Sequence, residues 1–247
     1  MLDCGHLCRV FGDRAKAFER QVAEYFGVAA AGAVSSGTAA LHCALAALGI
    51  GPGDEIITSP ITDMGSVIPI VMRNAVPVFA DVDPHTYNIT AASIEKVITE
   101  RTRAIIVVHL AGQCCVMQPI MDLAAERGIH VIEDCAQSYP STCDGRTAST
   151  IGDVGCFSLN DFKHITCGDG GFLISNDKDL IGRAALFADK GYPRTGPVRN
   201  SPPRCINPRP PLAEIANSPD ESQLFAARPT VSVNLTLREI RRPGERR

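Results

Sequence analysis

The chain has 247 residues, of which 45% are hydrophobic and 21% are charged, and its formal net charge is -3. This composition is typical of a folded globular protein, and the small charge argues against nucleic acid or a membrane surface as a partner. No run of about 18 apolar residues occurs, so no membrane-spanning helix is expected. The N-terminal residues lack the basic and apolar stretches of a secretion signal, which predicts a cytoplasmic protein.

Apolar runs alternate with amphipathic segments through the first three quarters of the chain. The first amphipathic segment places its apolar side chains on one helical face and stops at Gly27. Helices are predicted at residues 14–26, 36–48, 91–99 and 119–127. Strands are predicted at residues 32–35, 55–59, 77–80, 104–110, 129–133, 154–159 and 171–175.

This alternation predicts an α/β fold, with a mostly parallel seven-stranded sheet covered by helices on both faces. Ligands of such sheets bind at the carboxyl ends of the strands. Asp134 follows one predicted strand directly, and Ser158 lies near the end of another. Polar side chains of these two residues are therefore expected at the ligand-binding edge.

The composition changes near Gly191, after which ten of the seventeen prolines occur. The charged end of the chain has no sustained hydrophobic period. Such a segment buries too little apolar surface to offset the entropy lost on ordering. We therefore predict a folded domain at residues 1–192 and a Pro/Arg-rich, disordered or unrelated tail at residues 193–247.

Lys163 lies between two apolar runs and shortly before the glycine-rich stretch 168–171. A lysine beside glycines, together with a carboxylate at a strand end, is the combination that a pyridoxal phosphate (PLP) site requires. The lysine forms a Schiff base with the cofactor aldehyde, and the carboxylate keeps the pyridine nitrogen protonated. Lys163 and Asp134 therefore predict a PLP-binding protein, although either residue alone would be read as a solvated lysine or a helix cap.

Residues 35–38 join a predicted strand to a helix and contain Gly37 and Thr38. The free N–H groups of a helix N-terminus favour an anionic group such as phosphate, while an ordinary helix cap is the alternative. Ser158 could add a hydroxyl to the phosphate or be a buried serine. Gln137 could reach the phenolic oxygen of the cofactor. His109 ends a predicted strand and is as consistent with a structural role as with substrate contact.

The ten cysteines are scattered through apolar stretches, without the spacing of a zinc site. Reduced and mostly buried thiols are expected, as in a cytoplasmic protein, and no metal ion is predicted. A dinucleotide-binding protein is disfavoured, because no Gly-x-Gly-x-x-Gly motif follows the first strand.

These residues together resemble the DegT/DnrJ-type sugar aminotransferases, which are PLP enzymes of fold type I. The resemblance runs from about residue 11 to residue 191 and is carried by a combination of individually weak motifs. In chain order they are FE at 18–19, YFG at 25–27, SSGTAAL at 35–41, GPGDE at 51–55, DVDP at 81–84, TRAII at 102–106, HLAG at 109–112, EDCAQ at 133–137, GDVGCFS at 152–158, Lys163, and GDGG at 168–171.

The resemblance implies a role for each matching residue. Lys163 is the Schiff-base lysine and proton carrier, Asp134 pairs with the pyridine nitrogen, and Gln137 lies near the ring hydroxyl. Phosphate binding is implied for Gly37, Thr38 and Ser158. The implied reaction moves an amino group from glutamate or glutamine to a keto sugar, often one linked to a nucleotide, and the implied assembly is a homodimer.

The chain also departs from this family. Where relatives commonly place an aromatic residue that stacks on the cofactor ring, the sequence has Asp63. Relatives continue for well over a hundred residues into a C-terminal domain that the Pro/Arg-rich tail does not resemble. A PLP-binding pseudoenzyme without turnover and a PLP-dependent sugar dehydratase therefore remain alternatives to the aminotransferase.

Overall fold

A computed structural model of the chain describes residues 12–139 and 141–191. The predicted tail at 193–247 lies outside the described residues. Among the described helices, none is both long and apolar enough to cross a membrane.

The described residues contain a seven-stranded sheet, as the sequence predicts. Its strands are β1 (Ala30–Val34), β2 (Glu55–Thr58), β3 (Val76–Phe79), β4 (Thr102–Val108), β5 (His130–Asp134), β8 (Val154–Ser158) and β9 (Gly171–Ser175). The short strands β6 (Thr142–Cys143) and β7 (Arg146–Thr147) form a separate antiparallel hairpin.

The strand order in the large sheet is β1-β9-β8-β5-β4-β2-β3. Every pairing between β8 and β3 is parallel, and β9 runs antiparallel to both of its neighbours. The prediction of a mostly parallel sheet is therefore confirmed. Because β9 runs against β8, its first residue lies at the edge where β5 and β8 end.

The helices are α1 (Asp13–Phe26), α2 (Gly37–Ala47), α3 (Met64–Met72), α4 (Ala91–Glu95), α5 (Met117–Arg127) and α6 (Lys178–Ala188). They bury two apolar clusters, one on each face of the sheet. Buried side chains of α1, α4 and α5 belong to one cluster, and those of α2, α3 and α6 belong to the other. Neighbouring strand residues such as Ile56 and Ile57 belong to opposite clusters, because side chains alternate along a strand.

Local sequence explains where the site-forming helices begin and end. Helix α1 ends at Gly27, whose φ of 64° is a left-handed conformation that glycine adopts without strain. Helix α2 is apolar on almost all sides, which suits a helix packed between the sheet, α3 and α6. The sequence does not single out α3, because Pro69 lies inside it and interrupts the usual helical signal.

One expectation about the cysteines is wrong. Cys114 and Cys143 form a disulfide that joins the segment after β4 to the β6–β7 hairpin, so these two thiols are not free. The described free cysteines agree with the prediction, since Cys43, Cys115, Cys135 and Cys156 are buried and Cys167 is exposed. A sequence separation of 29 residues hides the pairing, because the two cysteines meet only through the packing of the two loops.

Candidate functional site

All six residues predicted to form the site line one cavity of about 280 Å³ at the carboxyl ends of β5 and β8. They are Gly37, Thr38, Asp134, Gln137, Ser158 and Lys163. Three separate segments of the chain, at residues 37–38, 134–137 and 158–163, bring these residues together. This convergence at the ligand-binding edge of a parallel sheet makes the cavity the candidate active site.

The N-terminus of α2 forms one wall of the cavity and packs closely against two strands. Ser36 caps the helix, with its Oγ accepting a hydrogen bond of 3.0 Å from the Ala39 N–H. A Cβ atom added at Gly37 would lie 2.8 Å from the Cβ of Ser158, and one added at Gly171 would lie 2.4 Å from the Ser36 carbonyl. The cap interpretation is correct for Ser36, and it is compatible with an anion bound at the same helix end.

Asp134 is the last residue of β5, and its buried carboxyl group has a hydrogen-bond donor on each oxygen. Ser66 Oγ donates to Oδ2 at 2.7 Å, and the Ala136 N–H donates to Oδ1 at 3.1 Å. Burial raises the pKa of Asp134 above its ordinary value, although both donors and the nearby charges of His109 and Lys163 oppose this rise. A cationic ring nitrogen bound beside Asp134 would stabilise its carboxylate further.

Lys163 lies in the segment between β8 and β9. The base of this segment is closed by hydrogen bonds from the Leu159 N–H to the Gly170 carbonyl (2.8 Å) and from the Cys167 N–H to the Leu159 carbonyl (3.1 Å). The Lys163 N–H donates to the Asn160 carbonyl at 3.0 Å. Within residues 12–139 and 141–191, the Lys163 side chain forms no hydrogen bond or ion pair, so its amino group is available to a ligand in the cavity.

Gln137 is held by the segment that follows β4. Its Oε1 accepts a hydrogen bond of 2.9 Å from the Ala111 N–H. This contact assigns the orientation of the side-chain amide and leaves Nε2 as the donor for a ligand. Ser141 Oγ donates to the Gly112 carbonyl at 2.8 Å and ties the same two loops together near the Cys114–Cys143 disulfide.

The N-terminus of α3 contributes residues to the cavity that the sequence did not assign. Thr62, Asp63 and Ser66 all line it, and Ser66 contacts Asp134 directly. Asp63 caps α3, with Oδ1 accepting a hydrogen bond of 2.7 Å from the Gly65 N–H. The polar run at residues 62–66 could have indicated a helix start, but nothing in that run indicates a partner 68 positions away.

His109 has a structural role rather than contact with a ligand in this cavity. Its side chain is fully buried and does not line the cavity. Nδ1 accepts a hydrogen bond of 3.2 Å from the Cys115 N–H, which assigns the ring proton to Nε2. Nε2 lies 3.0 Å from Oε2 of Glu133. Of the two interpretations of His109 left open by the sequence, the structural one is therefore correct.

Glu133 faces away from Asp134, as alternation along a strand requires. Besides His109, it accepts hydrogen bonds of 2.7–2.8 Å from the N–H groups of Ser149, Ile151 and Gly152. Burial by itself would raise the pKa of Glu133, but His109 and the N–H groups of Gly152 and Ser149 lower it below its ordinary value. Glu133 therefore organises the loop before β8 as a buried carboxylate.

Two groups of described side chains come close enough together to suggest metal ligands. They are His109 with Cys114 and Cys143, and His109 with Glu133 and Cys135. Both nitrogens of His109 already have partners, and Cys114 and Cys143 are bonded to each other. We therefore propose no metal ion at either group.

Two cavities larger than the candidate site lie elsewhere, with volumes of about 570 and 590 Å³. The first lies at the opposite edge of the sheet, beside His130 and Asp153, and the second lies between α2 and the end of α6. No lysine is among the described residues that line either of them, and size alone does not identify a site. The smaller cavity is the stronger candidate, because a nucleophilic amine, a buried carboxyl and a helix N-terminus converge there.

Known proteins share this arrangement of sequence and fold. The chain is 44% identical to GDP-perosamine synthase from Caulobacter vibrioides over 174 residues, which are 70% of this chain and 47% of that protein. The solved structure of an aminotransferase from Psychrobacter cryohalolentis is 42% identical, covers 72% of this chain and 45% of that one, and superposes with a TM-score of 0.71. The chain thus spans about half the length of the curated relatives it matches.

A third similarity concerns the cofactor. The PLP form of a protein described as a sugar aminotransferase, from Streptococcus pneumoniae, is 27% identical with a TM-score of 0.67, covering 71% of this chain and 50% of that one. The model of the DegT/DnrJ/EryC1/StrS aminotransferase family matches residues 2–201. Because this match covers most of the chain, and a lysine and an aspartate line one cavity beside a helix N-terminus, the chain belongs to this PLP-dependent family.

Proposed function

We propose that this chain is the cofactor-binding part of a sugar aminotransferase, which moves an amino group from glutamate or glutamine to a nucleotide-linked keto sugar. The observation that carries the proposal is that Lys163 and Asp134 line one cavity beside the N-terminus of α2. The chain covers about half of its relatives, so the activity and the substrates are proposed for the whole protein of which residues 1–192 would form the large domain.

The described residues fit PLP by chemical type and by shape. Gly37 lies close to Ser158, and Gly171 lies close to Ser36 and Gly37, so a Cβ at either glycine would push the start of α2 away from these strands. We assign the phosphate to the N–H groups of Gly37 and Thr38 and to the hydroxyl of Ser158. A phosphate at this position would satisfy N–H groups at the helix start and interact favourably with the helix dipole.

The remaining assignments place the reactive groups around the ring. When bound, PLP supplies an aldehyde for Lys163 and a ring that withdraws electrons from the reacting carbon. Asp134 would hold a proton on the ring nitrogen, and Gln137 Nε2 would donate to the ring oxygen. Lys163 Nζ would first bind the cofactor and then carry the proton between the amino-acid Cα and the cofactor C4′.

Absorbance spectroscopy tests this proposal directly. The purified chain mixed with PLP should gain a visible band from cofactor bound through Lys163, and glutamate or glutamine should bleach it. Lys163→Ala should lack the band, whereas the matched control Lys96→Ala, which alters an exposed lysine at the end of α4, should keep it. A Lys163→Ala spectrum identical to that of the unaltered chain would refute the assignment.

The same measurement separates the alternatives. A stable band that neither amino donor bleaches would indicate a PLP-binding pseudoenzyme or a sugar dehydratase. Release of water from a nucleotide-linked keto sugar would then identify the dehydratase. The aminotransferase is favoured because the family and the relative from Psychrobacter cryohalolentis are both described as aminotransferases.

We also propose that the chain forms a homodimer. An exposed apolar surface on α3 and the edge strand β3 supports this, with large apolar side chains that are each 47–60% exposed: Met64, Val71, Met72, Val76 and Phe79. Contiguous surfaces of this kind commonly mark protein interfaces. Val71→Lys should shift sedimentation equilibrium toward the monomer, and an unchanged dimer would remove this surface from consideration.

A further inference from the structure

Two hydroxyl groups, one in the first turn of α3 and one in the segment before it, connect this part of the chain to the candidate site. Thr62 Oγ1 lies 2.7 Å from Ser66 Oγ, and Ser66 Oγ lies 2.7 Å from Asp134 Oδ2. Ser66 is only 2% exposed and Asp134 only 6%, so water does not readily replace the contact between them, whereas the Thr62–Ser66 contact is partly buried. This chain of hydroxyls ends on the carboxyl group of Asp134, which lines the same cavity as Lys163.

The direction of the hydrogen bonds follows from the number of protons. Ser66 has one hydroxyl proton, and it donates that proton to Asp134 Oδ2. Thr62 must then be the donor to Ser66. Both hydroxyl dipoles therefore point toward Asp134, an arrangement that stabilises the negative form of the carboxyl group.

We propose that Ser66 and Thr62 are positioning residues that orient the Asp134 carboxyl group and keep it ionised for a cationic ring nitrogen. The effect of these two residues on cofactor binding rests on the proposed PLP-binding function. Its effect on Asp134 itself requires no cofactor.

The surroundings of Asp134 disfavour its ionised form, so hydrogen-bond donors are needed to stabilise the carboxylate. Burial is the largest influence on the pKa of Asp134 and raises it, while the hydrogen bond from Ser66 is the largest opposing influence. The titratable groups that face Asp134 from neighbouring segments, or share its cavity, are His109, Cys135, Cys156, Lys163, Asp63 and Asp169.

Few of these neighbours can replace the hydroxyl donors. Burial holds the pKa of the Cys135 and Cys156 thiols well above the ordinary range, so both stay neutral. His109 already donates to Glu133. Lys163 Nζ would be occupied by the cofactor aldehyde in the holoprotein. Ser66 is therefore the donor that remains on Asp134 Oδ2 when the cofactor is bound.

The first test uses the chain without cofactor. The free energy of unfolding in urea is measured against pH for the unaltered chain, Ser66→Ala, Asp134→Asn and the double variant. Because the folded pKa of Asp134 is raised, its contribution to stability is lost as the pH rises through that pKa. Removing Ser66 should raise this pKa further, because a hydrogen bond that favours the charged form of the carboxyl group is lost.

Ser66→Ala should therefore lower the folding equilibrium constant roughly tenfold more at a pH above the folded pKa of Asp134 than at a pH below it. In the Asp134→Asn background, the cost of Ser66→Ala should not change with pH. A cost that is the same at every pH in both backgrounds would overturn the proposal.

The second test measures PLP affinity against pH by absorbance titration. Ser66→Ala should shift the midpoint of this titration to higher pH, and Thr62→Val should shift it in the same direction by less. Ser175→Ala is the matched control, because Ser175 is also buried and donates to the Asp153 carbonyl at the opposite edge of the sheet. It should leave the midpoint unchanged.

The two tests distinguish failure of the proposed PLP-binding function from failure of the role proposed for Ser66 and Thr62. If the unaltered chain binds no PLP at any pH, the proposed function fails, while the stability measurements still decide the role of Ser66. If PLP binds but Ser66→Ala and Thr62→Val both lower affinity equally at every pH, the hydroxyls are merely structural and the proposal is wrong. If Ser66→Ala does not fold, Thr62→Val decides the question, since an unshifted midpoint in that variant would refute the hydroxyl chain.

Discussion

Gly171→Ala is the substitution for which the structure predicts the largest local effect. The new Cβ would lie 2.4 Å from the carbonyl carbon and oxygen of Ser36 and 2.7 Å from the nitrogen of Gly37. Ordinary van der Waals contact begins near 3.4 Å. The backbone at the start of α2 would therefore have to move by about 1 Å, because both neighbours are main-chain atoms rather than flexible side-chain ends.

This displacement has two measurable costs. Forcing a methyl group into a close-packed site typically costs about 1–3 kcal/mol of unfolding free energy. A shift of about 1 Å also takes the N–H groups of Gly37 and Thr38 beyond hydrogen-bond distance from a bound phosphate. Losing one hydrogen bond to a charged group, about 1.5–3 kcal/mol, weakens binding by roughly tenfold to a hundredfold.

Urea unfolding and a PLP absorbance titration measure both costs on the same sample. Gly182→Ala is the matched control, because Gly182 is exposed in α6 and an added Cβ meets nothing within 4 Å. That control should gain about 0.5–1 kcal/mol from improved helix propensity and bind PLP normally. A Gly171→Ala chain that is as stable as the unaltered chain and binds PLP equally well would refute the close-approach argument.

Two further predictions concern groups outside the cavity. Glu133→Gln should cost about 1.5–3 kcal/mol in urea unfolding, because the side-chain amide cannot replace the carboxylate that accepts hydrogen bonds from His109 and from buried N–H groups on both oxygens. The folded pKa of Glu133 is lowered, so its contribution is complete above the unfolded pKa and is lost as the pH falls through the folded one. Glu133→Gln should lack this acid-dependent part of the stability curve, and an unchanged curve would contradict the assignment. Reduction of Cys114–Cys143, which closes a loop of 29-residue separation, should cost about 3–4 kcal/mol. The double serine variant should be equally destabilised and insensitive to reductant, and a reductant effect that persists in it would point to another bond.

Much of the fold could be predicted because its signals are local. The runs that form β2, β5, β8 and β9 are short, apolar and bounded by polar or glycine residues, so their periodicity is visible without the structure. Asp134 and Lys163 stand out for a related reason. A carboxylate that ends an apolar run, or a lysine beside several glycines, is unusual in its immediate sequence.

Other parts of the site are absent from any local pattern. Helix α3 contains Gly65 and Pro69, two residues that weaken a helical signal, so the segment carrying Ser66 was not predicted. His109 could not be assigned, because its neighbours Cys115 and Glu133 are reached through different loops.

The sequence by itself determined the alternation of strands and helices, the family, and which residues stand at the ends of strands. These properties depend on hydrophobic period and on motifs a few residues long. Only the tertiary structure decided which strand ends are neighbours, and hence that Ser66 meets Asp134 and that Cys114 meets Cys143. Strand order sets these contacts, and because it arises from packing between distant segments, no single stretch of the chain contains it.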